Sequence, residues 1–217
     1  MTHIYAAYKR PTSEQKTYRL KVKGWKQIFQ SNRQEKKGRG NNTHTRQNGL
    51  QKKNQKKRPE GHFIILKGRI HQEDINIVNI YALNIGAPKY IKKILEDFQK
   101  DTDSNTIIVG NFHTPLSKMD RSSKQNTNKD IVALNDALGQ MDLTDIYRAF
   151  HPKEAKYTFF SNAHGIFSKI DHMIEHKTIL NKFKKIEIIS SIFSYHKGMK
   201  LETNLKEHTT NTQNHGD

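Results

Sequence analysis

The sequence contains no cysteine, which excludes disulfide staples and thiolate metal sites. No apolar run approaches the roughly 20 residues that a membrane-spanning helix needs. The opening Met1-Thr2-His3-Ile4-Tyr5 lacks the apolar core of a signal peptide. Hydrophobic residues make up only 33% of the 217, and mean hydropathy is −0.90. These absences leave an intracellular, soluble chain, placed in nucleus or cytoplasm, with length for one α/β domain.

Acidic side chains are also scarce, 21 against 38 Lys and Arg, for a net charge of +17. An imbalance of that size suits a polyanionic partner, but its location matters more than its size. Residues 1–60 hold 17 Lys/Arg against Glu14, Glu35 and Glu60, a net +14, and the rest of the chain carries only +3. Within the basic part, Leu50 is the only large aliphatic residue between positions 33 and 58. No amphipathic face can form there, so 33–58 is expected to be disordered. Residues 1–60 read as a remnant N-terminal part, 61–206 as an α/β domain and 207–217 as a polar tail.

From Gly61 the texture changes. His62–Leu66 and Ile75–Tyr81 read as strands, the second by its alternation. Asn84-Ile85-Gly86-Ala87-Pro88 reads as a turn with Pro88 at a helix start. Tyr90, Ile91, Ile94, Leu95 and Phe98 form a helical stripe, and Asn105–Gly110 suits a strand at the centre of a sheet. A second helix is expected over Ile131–Leu138. Further strands are expected at Tyr157–Ser161, Ile170–Ile174, Ile186–Phe193 and Met199–Leu205. This order predicts a layered α/β sandwich with mixed sheets.

Four segments at strand ends carry polar chemistry: Gly110-Asn111-Phe112-His113-Thr114-Pro115, Tyr157-Thr158-Phe159-Phe160-Ser161, Ser168-Lys169-Ile170-Asp171-His172 and Ser194-Tyr195-His196. In this order they resemble the endonuclease/exonuclease/phosphatase superfamily. More narrowly, the chain resembles the endonuclease domain of the reverse-transcriptase polyprotein of mammalian LINE-type (long interspersed element) non-LTR retrotransposons. Thr17–Gln30 and Glu60–Glu202 carry the resemblance, including Asn79-Ile80-Tyr81-Ala82, Met119-Asp120-Arg121-Ser122-Ser123, Asp145-Ile146-Tyr147-Arg148 and Phe150-His151-Pro152.

The resemblance implies a monomeric, Mg-dependent enzyme that cuts the DNA backbone and has no membrane association. The ion would polarise the scissile phosphate, and a strand-end Asp would activate water. A histidine polarised by an Asp would stand near the reacting phosphate. It assigns catalytic positions to Asn111, His113, Asp171 and His196, and DNA-backbone contacts to Tyr81, Thr158 and Ser194. The chain departs from the pattern where chemistry is most demanding. The water-activating Asp is Asn111, whose amide takes no proton. The neighbouring Asn is His113, and the Asp beside the last histidine is Tyr195, so His196 is expected to lack its orienting carboxylate. The early metal-ligand Glu falls near Lys9, the first strand with its Asn is expected to be missing, and no metal site is intact. The expectation is a truncated, degenerate and catalytically inactive copy, with a nucleic-acid binder using segment 33–58 as the alternative.

The basic segment also has a reading as a frameshift product. Codons permitted for Arg39–Gln51, read one base later, encode Gly-Val-Thr-Ile-Leu-Ile-Leu-Asp-Lys-Met-Asp-Phe, a strand-like run at the place where the family has an apolar strand.

Overall fold

A computed structural model of the chain describes residues 3–6, 51–58, 61–70, 73–98, 105–123, 128–190 and 196–203. Short β1 (His3–Ala6) precedes a hairpin series made of β2 (Gln51–Arg58), β3 (Gly61–Ile70) and β4 (Glu73–Ala82). Helix α1 (Ala87–Phe98) then crosses to β5 (Thr106–Asn111), which lies parallel to β4. Helix α2 (Lys129–Gln140), β6 (Leu143–Asp145) and α3 (Ile146–Phe150) follow, then the hairpin of β7 (Phe159–Ser161) and β8 (Ile166–Ser168). The chain continues through β9 (Asp171–His176), β10 (Phe183–Ile189) and β11 (Gly198–Thr203).

Among the described residues the strands form a six-stranded sheet ordered β2-β3-β4-β5-β9-β6, a three-stranded sheet ordered β1-β11-β10, and the small β7-β8 hairpin. Only the β4–β5 pair of the large sheet is parallel, so the sheet is mixed, as the order of elements predicted. Both faces of this sheet are covered. On one face, Val78, Ile80, Ile108, Phe112 and Ile174 pack against Tyr90, Ile91, Ile94 and Leu95 of α1 and Leu134 and Leu138 of α2. On the other, Ile75, Ile77, Ile107, Val109 and Met173 meet Ile186, Met199 and Leu201 of the three-stranded sheet. All six residues of β5 are buried, the state that its unbroken apolar run anticipates. Each fully buried aliphatic side chain contributes about 1.5–3 kcal/mol before entropy is subtracted.

Near the N-terminus β1 pairs antiparallel with β11, and Ile4 is buried in the core between the sheets; β1 contains no Asn and so is not the Asn-bearing first strand expected to be missing. Four residues are enough when the backbone finds a partner strand. Part of the segment expected to be disordered, Gln51–Arg58, forms edge strand β2, antiparallel to β3. An edge strand needs only its backbone groups to pair, and its lysines are the residues that protect such edges. The rest of 33–58, including the proposed frameshifted stretch up to residue 50, lies outside the described residues. The polar tail 207–217 and the expected strand positions 191–193 lie outside them as well.

Glu175 is an anomaly in the core. It sits on β9 opposite Thr144, on the same face as Met173, and is fully buried. Neither of its carboxyl oxygens has a hydrogen-bond partner among the described residues. Burial pushes its pKa up to about 8, against a smaller opposing pull from Lys182. Between the unfolded value of 4.5 and about 8 the native state therefore holds a proton that the unfolded chain has lost. Stability is full below the lower value and falls as pH rises to the upper one. Glu175→Gln keeps the shape and removes the ionisation. Denaturant melts should show this variant more stable than wild type at pH 8 to 9 with a flatter pH dependence; identical pH profiles would contradict this.

Candidate active site

The register of the large sheet assembles the strand-end residues. The parallel pairing of β4 with β5 sets Tyr81 beside Asn111, and the antiparallel pairing of β5 with β9 sets Asn111 beside Asp171. This approach depends on Gly110, because a side-chain carbon there would collide with the Ile80 carbonyl. After β5 the chain turns through His113, which adopts a left-handed backbone (φ 48°). Asn, Asp and His are the non-glycine residues found most often in that region. The turn is closed by the His113 amide donating to Asn111 Oδ1 at 2.9 Å. The His113 ring lies edge-on to the half-buried Tyr81, with ring centroids 5.6 Å apart.

Thr158 braces the other side. Its buried hydroxyl oxygen accepts from the amides of Ile170 (3.1 Å) and Asp171 (3.3 Å). Thr158 thereby positions the start of β9. Its own carbonyl accepts from Lys197 N at 2.8 Å, and Phe159 bridges to His196. The segment carrying His196 is thereby docked against the strand ends, with the Phe159 and His196 rings 4.7 Å apart.

His196 has a carboxylate partner, contrary to the expectation from Tyr195. Its Nδ1 lies 3.1 Å from Asp171 Oδ2. Asp171 is 25 residues away in sequence and adjacent in space, so neighbour-by-neighbour reading pointed to the wrong position. Tyr195 and Ser194 lie outside the described residues. A carboxylate can only accept, so His196 must carry its proton on Nδ1. The Asn111 amide is fixed by the bond from the His113 amide to its Oδ1, so its Nδ2 faces the same ring nitrogen at 3.4 Å. That contact sets one donor against another and is the weaker of the two. Asn111, Asp171, His196, Tyr81 and His113 are thus brought into one cluster, with Thr158 behind it.

A second buried cluster was visible in the sequence only as separate letters. Asp145 Oδ1 caps α3 by accepting from Tyr147 N at 3.0 Å, while its Oδ2 takes Lys169 Nζ and His172 Nδ1, the latter at 2.8 Å. The other nitrogen of His172 meets the Thr114 carbonyl at 3.0 Å. Burial alone would raise the Asp145 pKa, but the Lys169 ammonium, together with His172, holds it well below the usual carboxylate range. Asp120 binds Arg148 at 2.7 Å and caps the turn after β5 through the amides of Leu116 and Ser117. Strand alternation would not have found this network, since residues three apart in an extended chain face opposite ways; Lys169 and His172 meet because Lys169 lies before β9 begins at Asp171.

Metal binding can be tested against these donors. Asp120, Asp145 and His172 place ligand atoms within 4.8 Å of one another, close enough that the cluster could hold an ion. The Lys169 ammonium and the Arg148 guanidinium already sit on its carboxylates, so a cation would have to displace them. At the strand-end cluster, Asp171 is the only carboxylate among the described residues, with Oδ1 buried and unpartnered. One such oxygen falls short of a Mg site, which draws on one or two carboxylates with supporting oxygen ligands. Among the described residues, the strand-end cluster does not by itself fit the ion that the resemblance implies.

No family model matches the chain. Solved structures do. An AP endonuclease from Archaeoglobus fulgidus aligns at 17% identity with a TM-score of 0.52, over 64% of this chain and 65% of the archaeal one. The endonuclease domain of TRAS1, a telomere-specific non-LTR retrotransposon, aligns at 16% identity with a TM-score of 0.55, over 66% of this chain and 64% of its own. A 3′ phosphatase from Neisseria, solved with a product DNA hairpin, aligns at 17% and 0.52, over 64% of each chain. The chain therefore spans just under two thirds of these proteins. The likeness is one of fold alone, an α/β fold with mixed sheets. Among the described residues, no helix is long and apolar enough to cross a membrane.

The Asp171–His196 pair gives a direct test. Nitrogen NMR of the neutral ring should report the Nδ1–H tautomer of His196 in the wild type and a shift towards Nε2–H in Asp171→Ala. A tautomer indifferent to that substitution would contradict the pairing.

Proposed function

We propose that this protein is a degenerate endonuclease-like domain of LINE-type retrotransposon origin, which retains a site for the DNA phosphodiester backbone and no longer cleaves it. The observation that carries the reading is Asn111, buried at the centre of the strand-end cluster between Tyr81 and Asp171. A hydrolytic site needs a base to take the proton of the attacking water. An amide cannot do so, and losing a general base costs about 10²–10⁴ in rate. His196 remains oriented by Asp171, but the metal-ligand Glu expected near Lys9 is a second, independent deficit. Recognition is a smaller demand than catalysis. Tyr81, His113 and His196 at one strand end supply the polar and aromatic groups that a phosphodiester and its sugar require.

The DNA-binding structural neighbour and the basic N-terminal part support a nucleic-acid ligand. In this reading Mg is a requirement of the ancestral reaction, while the present chain binds as a monomer without it.

Incubation of the purified protein with supercoiled plasmid and Mg²⁺ or Mn²⁺ tests the loss of cleavage. Nicking should be no faster than with a His196→Ala control. A clear excess over that control would show a working catalyst and overturn the inactive reading.

A further inference from the structure

At the end of the large sheet away from the strand-end cluster, a buried acid and a tethered cation stand close together without pairing. Glu175 lies wholly inside the protein, on the face of β9 that Met173 turns to the inter-sheet core. Neither of its carboxyl oxygens has a hydrogen-bond partner among the described residues. Ile108 pairs with Ile174, so the next position along sets Ile107 of β5 beside Glu175, while Thr144 of β6 stands opposite it. The three-stranded sheet turns Phe183 and Ile186 to the same core. None of these neighbours carries a charge.

The cation comes from the connection. A 3-10 helix, Lys177–Lys182, carries the chain from β9 to β10. Its Lys182 lines a cleft of about 350 Å³ between the two sheets, together with Ile107, Ile179 and Phe183. Asp74, which also lines the cleft, is exposed. Ile107 thus separates the cleft from Glu175, and Lys182 is the cation whose pull opposes the effect of burial on that acid. Its ammonium is held elsewhere, donating to Asn105 Oδ1 at 3.1 Å just before β5 begins. A neutral acid can stay buried without partners at a moderate cost, but an ionised one needs an opposite charge.

We propose that Glu175 and Lys182 form a proton-controlled latch between the two sheets: the protonated acid leaves Lys182 on Asn105 and the cleft closed, and the ionised acid draws the ammonium inward, which unties the Lys177–Lys182 connection from the start of β5 and opens the cleft. The proton goes to solvent, and the charge left behind is met by a cation already present. The acid ionises around pH 8, so the latch is closed below that value and open above it. One pH unit above the midpoint, the ionised form outnumbers the protonated one about tenfold. This goes further than the loss of stability expected for a buried acid, because a latch changes one connection and leaves the strands paired.

The test follows the full chain from pH 6 to pH 10 by carboxyl NMR and by amide exchange corrected for its intrinsic pH dependence. The Glu175 resonance is identified by its absence in Glu175→Gln. Amides of residues 177–183 should lose most of their protection with the same midpoint as that resonance, while those of β5 keep theirs. In Glu175→Gln the protection of 177–183 should not change with pH. Lys182→Met should move the Glu175 midpoint up, because the carboxylate loses its cation, and Lys182→Arg should keep it near wild type. Asn105→Ala should move it down, because the ammonium no longer has a partner to leave. A lysine that only braces the connection would not shift the midpoint in opposite directions in Lys182→Met and Asn105→Ala. The latch is overturned by protection of 177–183 that ignores pH or falls equally in Glu175→Gln, and by a midpoint indifferent to Lys182 and Asn105. Loss of protection in β5 together with 177–183 would overturn it too, since the whole fold would then be opening.

Discussion

Strand β5 is held between β4 and β9 in a register that admits no slip. Its six residues are buried and alternate between two cores. A shift by one position would exchange Ile107 and Val109 with Ile108 and turn Asn111 away from the inter-sheet face. Gly110 allows the backbone of β4 to come close where any side chain would strike the Ile80 carbonyl. The site follows from that register, since Tyr81, Asn111 and Asp171 are neighbours only because these three strands are aligned. Thr158 extends the constraint by holding the first residue of β9 through two amides while its carbonyl receives Lys197 next to His196. The Asp145, Lys169 and His172 network ties α3, β9 and the Thr114 turn to the same frame. Removing one partner from a buried ion pair of this kind costs about 3–5 kcal/mol.

Where side-chain pattern decides structure, the sequence was readable. The Tyr90–Phe98 stripe became α1, which runs Ala87–Phe98 with Pro88 in its first turn, and Ile131–Leu138 lies inside α2. The apolar run before Asn111 became β5, and Ile75–Tyr81 lies inside β4. The misses share a physical cause, since they are elements whose formation rests on backbone pairing or capping. Strand β2 has no apolar residue, and composition therefore reads it as solvated. Strand β1 offers Ile4 as its anchor and depends on β11 for its partner. Helix α3, of five residues, is too short for a helical period to register and is fixed by the Asp145 cap. At the site, the residue types were legible and one pairing was not. The carboxylate of His196 was sought at the adjacent position 195, while the fold supplies Asp171 from β9.

Fold and chemistry separate in this molecule. The two-sheet architecture is held by its two cores and not by the residues at the strand ends, and a fold of this kind hosts many activities or none. Glu175, a buried acid with no hydrogen-bond partner among the described residues, adds cost without an evident return in packing.

The proposed function holds that cleavage is lost through more than one deficit, the amide at Asn111 and the replacement of the metal-ligand Glu expected near Lys9 acting as a unit. Metal-dependent plasmid nicking by the single variant Asn111→Asp tests it most directly. Residues that work together in a site give strongly non-additive effects, so restoring one carboxylate should leave nicking at the level of the unrepaired protein with either Mg²⁺ or Mn²⁺. Strong metal-dependent cleavage from Asn111→Asp alone would contradict the account, because it would mean that a functional metal site had been present throughout.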